Sequence, residues 1–264
     1  MQTSFIHPTQ QDENWNMKNK FKNSLKYPLI IALLLNSHCV LAGEILVGLA
    51  VVNSHSAIQG KNNDTELDPA IIYQGENFSF INGSLAYRFF TSDSLSIAVT
   101  GQQREEKYEP KDSQALNGMD KRDSAFDMGI NIQSNKSWGT LELAVLGDVS
   151  STYDGSEVRA SYAYPWIKGR WILTPAVGVS YLSQELVGYY YGVKNSEQNV
   201  DRPAYRGEAG VNCFVEISII HQLSAKWTFI AGMDYVYLDE AIKKSPIVDE
   251  NHEATAFTAI AYSF

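Results

Sequence analysis

Apolar and polar side chains alternate with a period of two through most of residues 43–264. That is the pattern of strands that turn one face to an apolar solvent and the other to a polar interior. The clearest run is Trp227 to Leu238. Trp227, Phe229, Ala231, Met233, Tyr235 and Tyr237 share one face; Thr228, Ile230, Gly232, Asp234 and Val236 share the other. Trp227 and Tyr237 are ten residues apart. At ~3.3 Å per residue that is about 33 Å of strand. Tilted by ~40°, it covers about 25 Å, the height of the apolar band between the aromatic girdles of a membrane barrel. Trp171 to Tyr181 repeats the design, with Leu173, Pro175, Val177 and Val179 between the two aromatics on one face. Pro175 removes a ladder donor, so a bulge is expected there.

The same alternation predicts strands over 45–53, 69–75, 77–82, 84–91, 94–104, 123–133, 138–149, 157–165, 206–220 and 254–264, giving twelve in all. The pattern is weakest over 69–91, which leaves ten strands as the alternative. An even count of antiparallel strands with both termini in the periplasm describes an all-β, up-and-down transmembrane β-barrel. Short turns near Glu76-Asn77, Ser92-Asp93, Asn135-Lys136, 167–169 and Ser224-Ala225 then face the periplasm. The longer stretches 54–68, 105–122, 183–205 and 241–253 face outward.

The last strand puts Phe264, Tyr262, Ile260, Thr258 and Ala256 on one face. An exposed amphipathic strand at an open sheet edge invites aggregation. A barrel removes the problem by closing its last strand on its first. Phe264, Tyr262 and Ile260 also form the signal that barrel-assembly machinery is expected to read by β-strand addition.

Barrel parity points six acids (Asp127, Glu142, Asp148, Glu208, Glu216, Asp234) and three arginines (Arg88, Arg159, Arg206) into the lumen. One reading is a pore lining that favours cations. The other, which is favoured, is a network of ion pairs that fills a small barrel. Cys213 falls on the lipid face as a small hydrophobe. Tyr189-Tyr190-Tyr191, followed by Gly192, is either a ligand-stacking platform or a loop packed on the rim at headgroup level. Rim packing is the favoured reading.

Composition sharpens this picture. Fifteen tyrosines and 12% aromatics suit interfacial girdles. A mean hydropathy of −0.22 leaves no room for a bundle of membrane helices. Residues 1–16 are polar and include Asp12 and Glu13, which a secretory leader avoids. From Met17 the pattern fits a signal peptide: Lys18, Lys20, Lys22 and Lys26, then the apolar run 29–35, then Val40-Leu41-Ala42 before Gly43. Residues 17–42 are therefore read as a signal peptide cleaved between Ala42 and Gly43, residues 1–16 as an upstream extension, and 43–264 as one barrel domain. Whether translation starts at Met1 or Met17 is open. The apolar run is too short to span a membrane. Cleavage removes Cys39 and leaves Cys213 alone, so no disulfide framework is expected. Four fewer lysines and two fewer acids take the net charge from −9 to −11. Such a chain has nothing with which to neutralise phosphates, so nucleic acid is not an expected partner.

No catalytic, metal or cofactor site is evident. His55, His221 and His252 lie far apart in the sequence, and no Gly-x-Ser-x-Gly elbow or His-x-x-x-His pair occurs. His221 with Ser218 or Ser224 is the one conceivable acyl-hydrolase pair, and it lacks an orienting residue.

The stretch Leu116-Asn117-Gly118-Met119-Asp120-Lys121-Arg122, followed by Ala125-Phe126-Asp127-Met128-Gly129, resembles the MltA-interacting protein (MipA/OmpV) family of outer-membrane proteins. So do Tyr189-Tyr190-Tyr191-Gly192-Val193 and Ser245-Pro246-Ile247-Val248, and, earlier, Gly75-Glu76-Asn77-Phe78 and Ala86-Tyr87-Arg88. The chain departs from the family pattern at Ala57-Ile58-Gln59-Gly60, where a Tyr is usual. The resemblance implies a barrel in the outer membrane of a Gram-negative bacterium, without enzymatic activity or cofactors. It also implies a scaffold in peptidoglycan assembly that joins a lytic transglycosylase to a penicillin-binding protein. A narrow channel for small solutes and a surface adhesin or receptor are the alternatives.

Overall fold

The computed structural model describes residues 43–61 and 63–264. The expected signal peptide, its cleavage after Ala42 and the upstream extension lie outside the described residues. Thirteen segments form one antiparallel sheet: β1 (Glu44–His55), β2 (Asp64–Gln74), β3 (Phe78–Ile81), β4 (Ser84–Thr91), β5 (Leu95–Arg104), β6 (Ala125–Lys136), β7 (Gly139–Asp148), β8 (Ser156–Ala163), β9 (Trp166–Lys168), β10 (Trp171–Leu182), β11 (Gly210–Gln222), β12 (Trp227–Tyr237) and β13 (His252–Ser263). β13 pairs with β1 from Ser263 opposite Leu46 to Ala254 opposite His55, so the sheet closes into a barrel. β8 and β9 pair with β10 in one continuous register and form a single stave broken at Tyr164-Pro165. The barrel therefore has twelve staves, the number the alternation predicts.

Gly43, Phe264 and the connections 75–77, 92–94, 137–138, 169–170 and 223–226 gather at one end, called here the turn end. The connections 56–63, 105–124, 149–155, 183–209 and 238–251 gather at the loop end. Two boundaries differ from expectation. β2 begins five residues early, at Asp64, because it pairs along the whole of β1 as far as Ser54. β11 begins at Gly210, which leaves Arg206 and Glu208 in the preceding loop.

The side chains follow the period of two. Leu49, Val51, Val145, Val177, Val215, Ile217 and Ile260 project outward and are exposed; Ala50, Ala144, Ala176, Phe214 and Ala259 project inward and are buried. Cys213 is outward and exposed, as expected. Trp171, Tyr181, Trp227 and Tyr237 are each about half exposed and bracket the apolar band on β10 and β12, the staves on either side of β11. At the turn end the lumen is filled by Leu46, Ile72, Ile81, Ile230, Phe257 and Ala261.

Both strand prolines sit where the lost N–H has no strand to bond. Tyr164 N donates to Pro175 O at 3.1 Å, so residue 175 directs its backbone groups toward the β8–β9 stave. That stave is interrupted opposite it. The expected bulge at Pro175 is therefore a break in the neighbour, while β10 runs straight. Pro69 repeats the logic. The β3–β4 hairpin turns at Asn82 (φ 40°) and Gly83 (φ 88°), both left-handed, as a two-residue hairpin prefers. It stops partway up the wall, since β3 pairs only with Ile72 to Gln74 of β2. Ile71 N donates to Asn82 Oδ1 at 2.8 Å and Asn82 N to Ile71 O at 3.1 Å, so Ile71 faces this hairpin. Pro69 is in phase with Ile71 and faces the same side beyond the hairpin, where it has no N–H to leave unpaired.

Candidate functional site

The loops at the loop end fold over the barrel mouth and pack on one another. The helix α1 (Gln184–Tyr190) begins at Ser183, whose side chain caps Leu186 N, and it lays Leu186, Val187 and Tyr190 inward. These three pack with Ala57, Tyr153, Tyr191, Leu238 and Ile242. A second cluster joins Ile58, Tyr108, Leu116, Met119, Val193 and Ile247. Single bridges tie Ile58 to Val248, Tyr108 to Arg122 and Val193 to Tyr205. Ala57 and Ile58 are buried in these clusters, so the first loop packs into the cap without the Tyr that the family pattern carries there.

Arg122 and Arg202 stitch the cap with charge-assisted bonds. Arg122 donates to Glu197 Oε2 at 3.0 Å, to Tyr189 O at 2.6 Å and to Asp120 O at 2.8 Å. Its guanidinium lies 5.6 Å from the ring centres of both Tyr108 and Tyr189. Glu197 also accepts from the backbone N–H of Asp120 and of Lys194. Burial pushes the Glu197 carboxyl up, but these donors outweigh it and hold the group below the usual carboxylate range. Arg202 donates to the carbonyls of Ala115, Asn117 and Glu197. Burial pushes the Tyr108 hydroxyl up to about 12 and raises Tyr191 well above its ordinary value, so both rings stay neutral.

The three expected outer-loop tyrosines thus have different surroundings. Tyr190 and Tyr191 are buried in the cap, and Tyr189 is half-buried under Arg122. They form part of the lid that closes the mouth, in keeping with the rim-packing reading. Gly192 is required there, because a Cβ would sit 2.1 Å from Gly188 O. Ser245 Oγ donates to Tyr191 O at 2.6 Å, and Tyr190 Oη to Asp123 O at 3.2 Å. The sequence motifs around 116–122, 189–193 and 245–248 therefore meet in one packed unit.

Beneath the cap lies a cavity of about 260 Å³ inside the barrel. Arg104 crosses its wall. Its Nε donates to Asp127 at 2.8 Å, Nη2 to Glu157 at 2.5 Å and Nη1 to Glu106 at 2.9 Å. Tyr153 Oη donates to the second oxygen of Asp127 at 2.6 Å. Arg159 pairs with Glu216 and lies 3.6 Å from the ring centre of Phe214. Asp234 stands directly opposite Glu216 on the next strand and lines the same cavity. Glu142 lies lower in the lumen and accepts from Asn131 Nδ2 at 2.8 Å and Gln133 Nε2 at 3.4 Å.

Of the nine charged residues read as lumen-facing, Asp127, Glu142, Arg159, Glu216 and Asp234 are in the lumen. Four need correction or refinement. Arg206 and Glu208 are exposed in the loop before β11, because the alternation there belongs to loop and not to strand. Asp148 ends β7 and folds the 149–155 loop around itself, accepting from the backbone N–H of Ser150, Thr152, Tyr153 and Asp154. Arg88 clamps the first turn, donating to Gly75 O and Glu76 O at 2.9 Å each. The sequence reading missed Arg104, Glu157, Glu197 and Arg202. Arg104 was accessible to it, since it is in phase with Ser96, Ala98, Thr100 and Gln102 on the inward face of β5.

His221 and Ser218 are out of phase on β11 and face opposite sides of the wall. His221 stacks on Trp171 with ring centres 3.8 Å apart, and Ser218 is buried inside. The pair is not an acyl-transfer site. His55 and His252, distant in sequence, stack 5.1 Å apart because β1 and β13 are neighbours.

The Escherichia coli (strain K12) protein YiaT is 27% identical over 226 residues, covering 84% of this chain and 92% of that protein. Outer membrane protein OmpV of Vibrio cholerae is 27% identical over 194 residues, covering 73% and 76%. MltA-interacting protein of Escherichia coli (strain K12) is 24% identical over 209 residues, covering 77% and 84%. Among solved structures, the translocator domain of autotransporter NalP from Neisseria meningitidis aligns with a TM-score of 0.46 at 10% identity, over 96% of this chain and 97% of that one. The closed barrel with its exposed apolar belt, together with the sequence relatives YiaT and OmpV, puts the protein in the outer membrane of a Gram-negative bacterium. The model of the family described as MltA-interacting protein MipA matches residues 47–264, and the chain belongs to that family.

Proposed function

We propose that this outer-membrane barrel is a non-enzymatic scaffold for murein-synthesising and murein-hydrolysing enzymes. The observation that carries the reading is the closed loop end. The 105–124 and 183–209 loops interlock over the mouth through Arg122, Glu197 and Arg202, the 56–63 and 238–251 loops join them through the apolar clusters, and Arg104 and Arg159 tie the lumen walls beneath. A barrel sealed in this way is poorly suited to bulk passage of solutes, which leaves its rims as working surfaces. The turn end, which on this reading is periplasmic, offers the rim 75–77, 92–94, 137–138, 169–170 and 223–226. A relative is named for its interaction with MltA, which supports a lytic transglycosylase as one partner. A penicillin-binding protein is the proposed second partner. On the same reading Ala42–Gly43 is the signal cleavage site, and Phe264, Tyr262 and Ile260 are read by the barrel-assembly machinery.

The test is cross-linking of the folded barrel, reconstituted in nanodiscs, to a purified lytic transglycosylase and a bifunctional penicillin-binding protein. Capture of both through turn-end residues is the expected result. Absence of both, with barrels from unrelated families as the reference, would sink the reading. A narrow cation channel is the second reading, favoured by the acidic cavity under the cap. Single-channel recording decides it, and a silent bilayer removes it.

A further inference from the structure

We infer that the outward groove over Ala160 binds an anionic phospholipid, with an acyl chain along the wall and the headgroup phosphate against Lys168 and Arg170 at the turn end. This is independent of the scaffold reading, since it concerns the membrane-facing side of the wall and holds in whichever leaflet the turn end lies.

The groove follows from one small side chain. Ala160 of β8 stands opposite Leu143 of β7 and Val179 of β10, all three on the outward face. Ile132 and Leu143 form one wall and Val177 and Val179 the other, around a space of about 420 Å³. These walls are aliphatic, so the chemistry that fills the groove is a hydrocarbon chain. Tyr162 closes it toward the turn end. The Tyr162 ring stacks on Trp138 with ring centres 6.1 Å apart, and its hydroxyl donates to Trp138 O at 2.5 Å. Gly139 makes room for that ring, since a Cβ there would lie 2.6 Å from it.

Beyond Tyr162 the wall gathers indole rings and positive charge. Trp138, Trp166 and Trp171 are each about half exposed there. Lys136, Lys168 and Arg170 are exposed beside them. Lys168 stands opposite Trp171 across the β9–β10 hairpin, and Arg170 lies in its turn. Lys136 Nζ donates to Ser94 Oγ at 2.7 Å and marks the border of this basic arc. No acid occurs in 134–141 or 162–173, the two stretches that make these turns. The turn-end acids Glu44, Glu76 and Asp93 belong to the β1–β5 side of the barrel. Indole rings settle at the headgroup level of a bilayer, and basic side chains at that level attract anionic headgroups. An aliphatic groove that ends in a basic, indole-lined turn matches the two halves of one anionic phospholipid. A soluble anion would leave the groove unfilled, and a neutral lipid would leave the charges unmet.

The test is tryptophan quenching in the full chain, refolded into mixed vesicles of phosphatidylcholine and phosphatidylglycerol. Trp15→Phe and Trp227→Phe leave Trp138, Trp166 and Trp171 as the reporters. A brominated lipid quenches the indoles it touches. Preference for brominated phosphatidylglycerol over brominated phosphatidylcholine should be about tenfold or more, and should fall about fivefold with Lys168→Gln or with Arg170→Gln. Ala160→Leu fills the groove without touching the charges and should lower the preference too. Lys226→Gln should leave it unchanged, since that ammonium rests on Tyr262 away from the groove. Excess glycerol 3-phosphate, the same charge without acyl chains, should not relieve the quenching. Folding of each variant is checked by heat modifiability, and Ala160→Val replaces Ala160→Leu if the latter does not fold. Equal quenching by the two lipids, an equal loss in Lys226→Gln, an unchanged preference in the folded groove variant, or relief by glycerol 3-phosphate would overturn the proposal.

Discussion

Arg122 donates to the Glu197 carboxylate at 3.0 Å, and the two side chains are each 2% exposed although they come from different loops. Removing one member of a buried, hydrogen-bonded pair leaves the other charged and unpaired, at a cost of about 3–5 kcal/mol. Arg122→Met should therefore release the 183–209 loop from the 105–124 loop. The barrel wall does not depend on this pair, so the loss should be local. Limited proteolysis should cut within 183–209 in the variant and spare the native protein, while both remain heat-modifiable. Equal protease resistance would show that Arg202 and the two apolar clusters hold the cap without the pair.

The same pair sets a pH dependence. Glu197 has its carboxyl held below the ordinary range by Arg122 and by the N–H groups of Lys194 and Asp120, against the upward push of burial. A carboxyl depressed in the folded state adds stability that is fully present above its unfolded pKa. That contribution is lost as pH falls through the lower folded value. The ordinary Glu value is about 4.3, so the contribution of this pair should be constant from neutrality to about pH 5 and fade below about pH 4. Near-UV circular dichroism follows the packed tyrosines of the cap. The acid transition should be absent in Glu197→Gln, and an identical transition in that variant would assign it to other groups.

The sequence made the barrel legible and the cap much less so. Lipid outside and a filled lumen inside impose one strict alternation on each stave, and Trp171–Tyr181 and Trp227–Tyr237 show its full height. The cap has no such period. Its ordering comes from Arg122, Glu197 and Arg202, which are brought together only once 105–124 and 183–209 lie across the mouth. Arg206 and Glu208 show the reverse error: loop residues that happened to alternate were read as strand. Pro175 shows a third limit. Its tolerance depends on the break at Tyr164-Pro165 in another stave, which no local pattern reports.

Arg104 should matter to the barrel itself. It bonds Asp127 on the adjacent strand β6 and Glu157 across the lumen on β8, and all three side chains are nearly fully buried. Arg104→Met strands two carboxylates and should lower unfolding stability by about 3–5 kcal/mol. The combined change Arg104→Met, Asp127→Leu and Glu157→Met removes the charges together and should recover much of that loss. Urea titration of the refolded barrel, followed by heat modifiability, measures both. Recovery is the informative arm. Without it, the network contributes through specific hydrogen bonds, Tyr153 to Asp127 included, and not through charge balance alone.

Phe264 contributes little to the finished wall. Its side chain is 82% exposed, and its ring meets Tyr262 edge-on at 5.2 Å. Its backbone N–H reaches Ile45 O at 3.4 Å, a long bond at the seam between first and last strands. A residue so exposed is expected to shift stability by no more than about 0.5 kcal/mol when lost. If Phe264 serves as an assembly signal, its effect belongs to biogenesis and not to equilibrium. A chain ending at Ser263 should refold in detergent with nearly the native urea midpoint, yet yield far less heat-modifiable barrel in the outer membrane of cells. Tyr262→Ala, which removes the next aromatic on the same face, should add to the cellular defect. Parallel losses in the tube and in the cell would mean that Phe264 acts by closing the seam. Normal assembly of the shortened chain would remove it from the assembly signal.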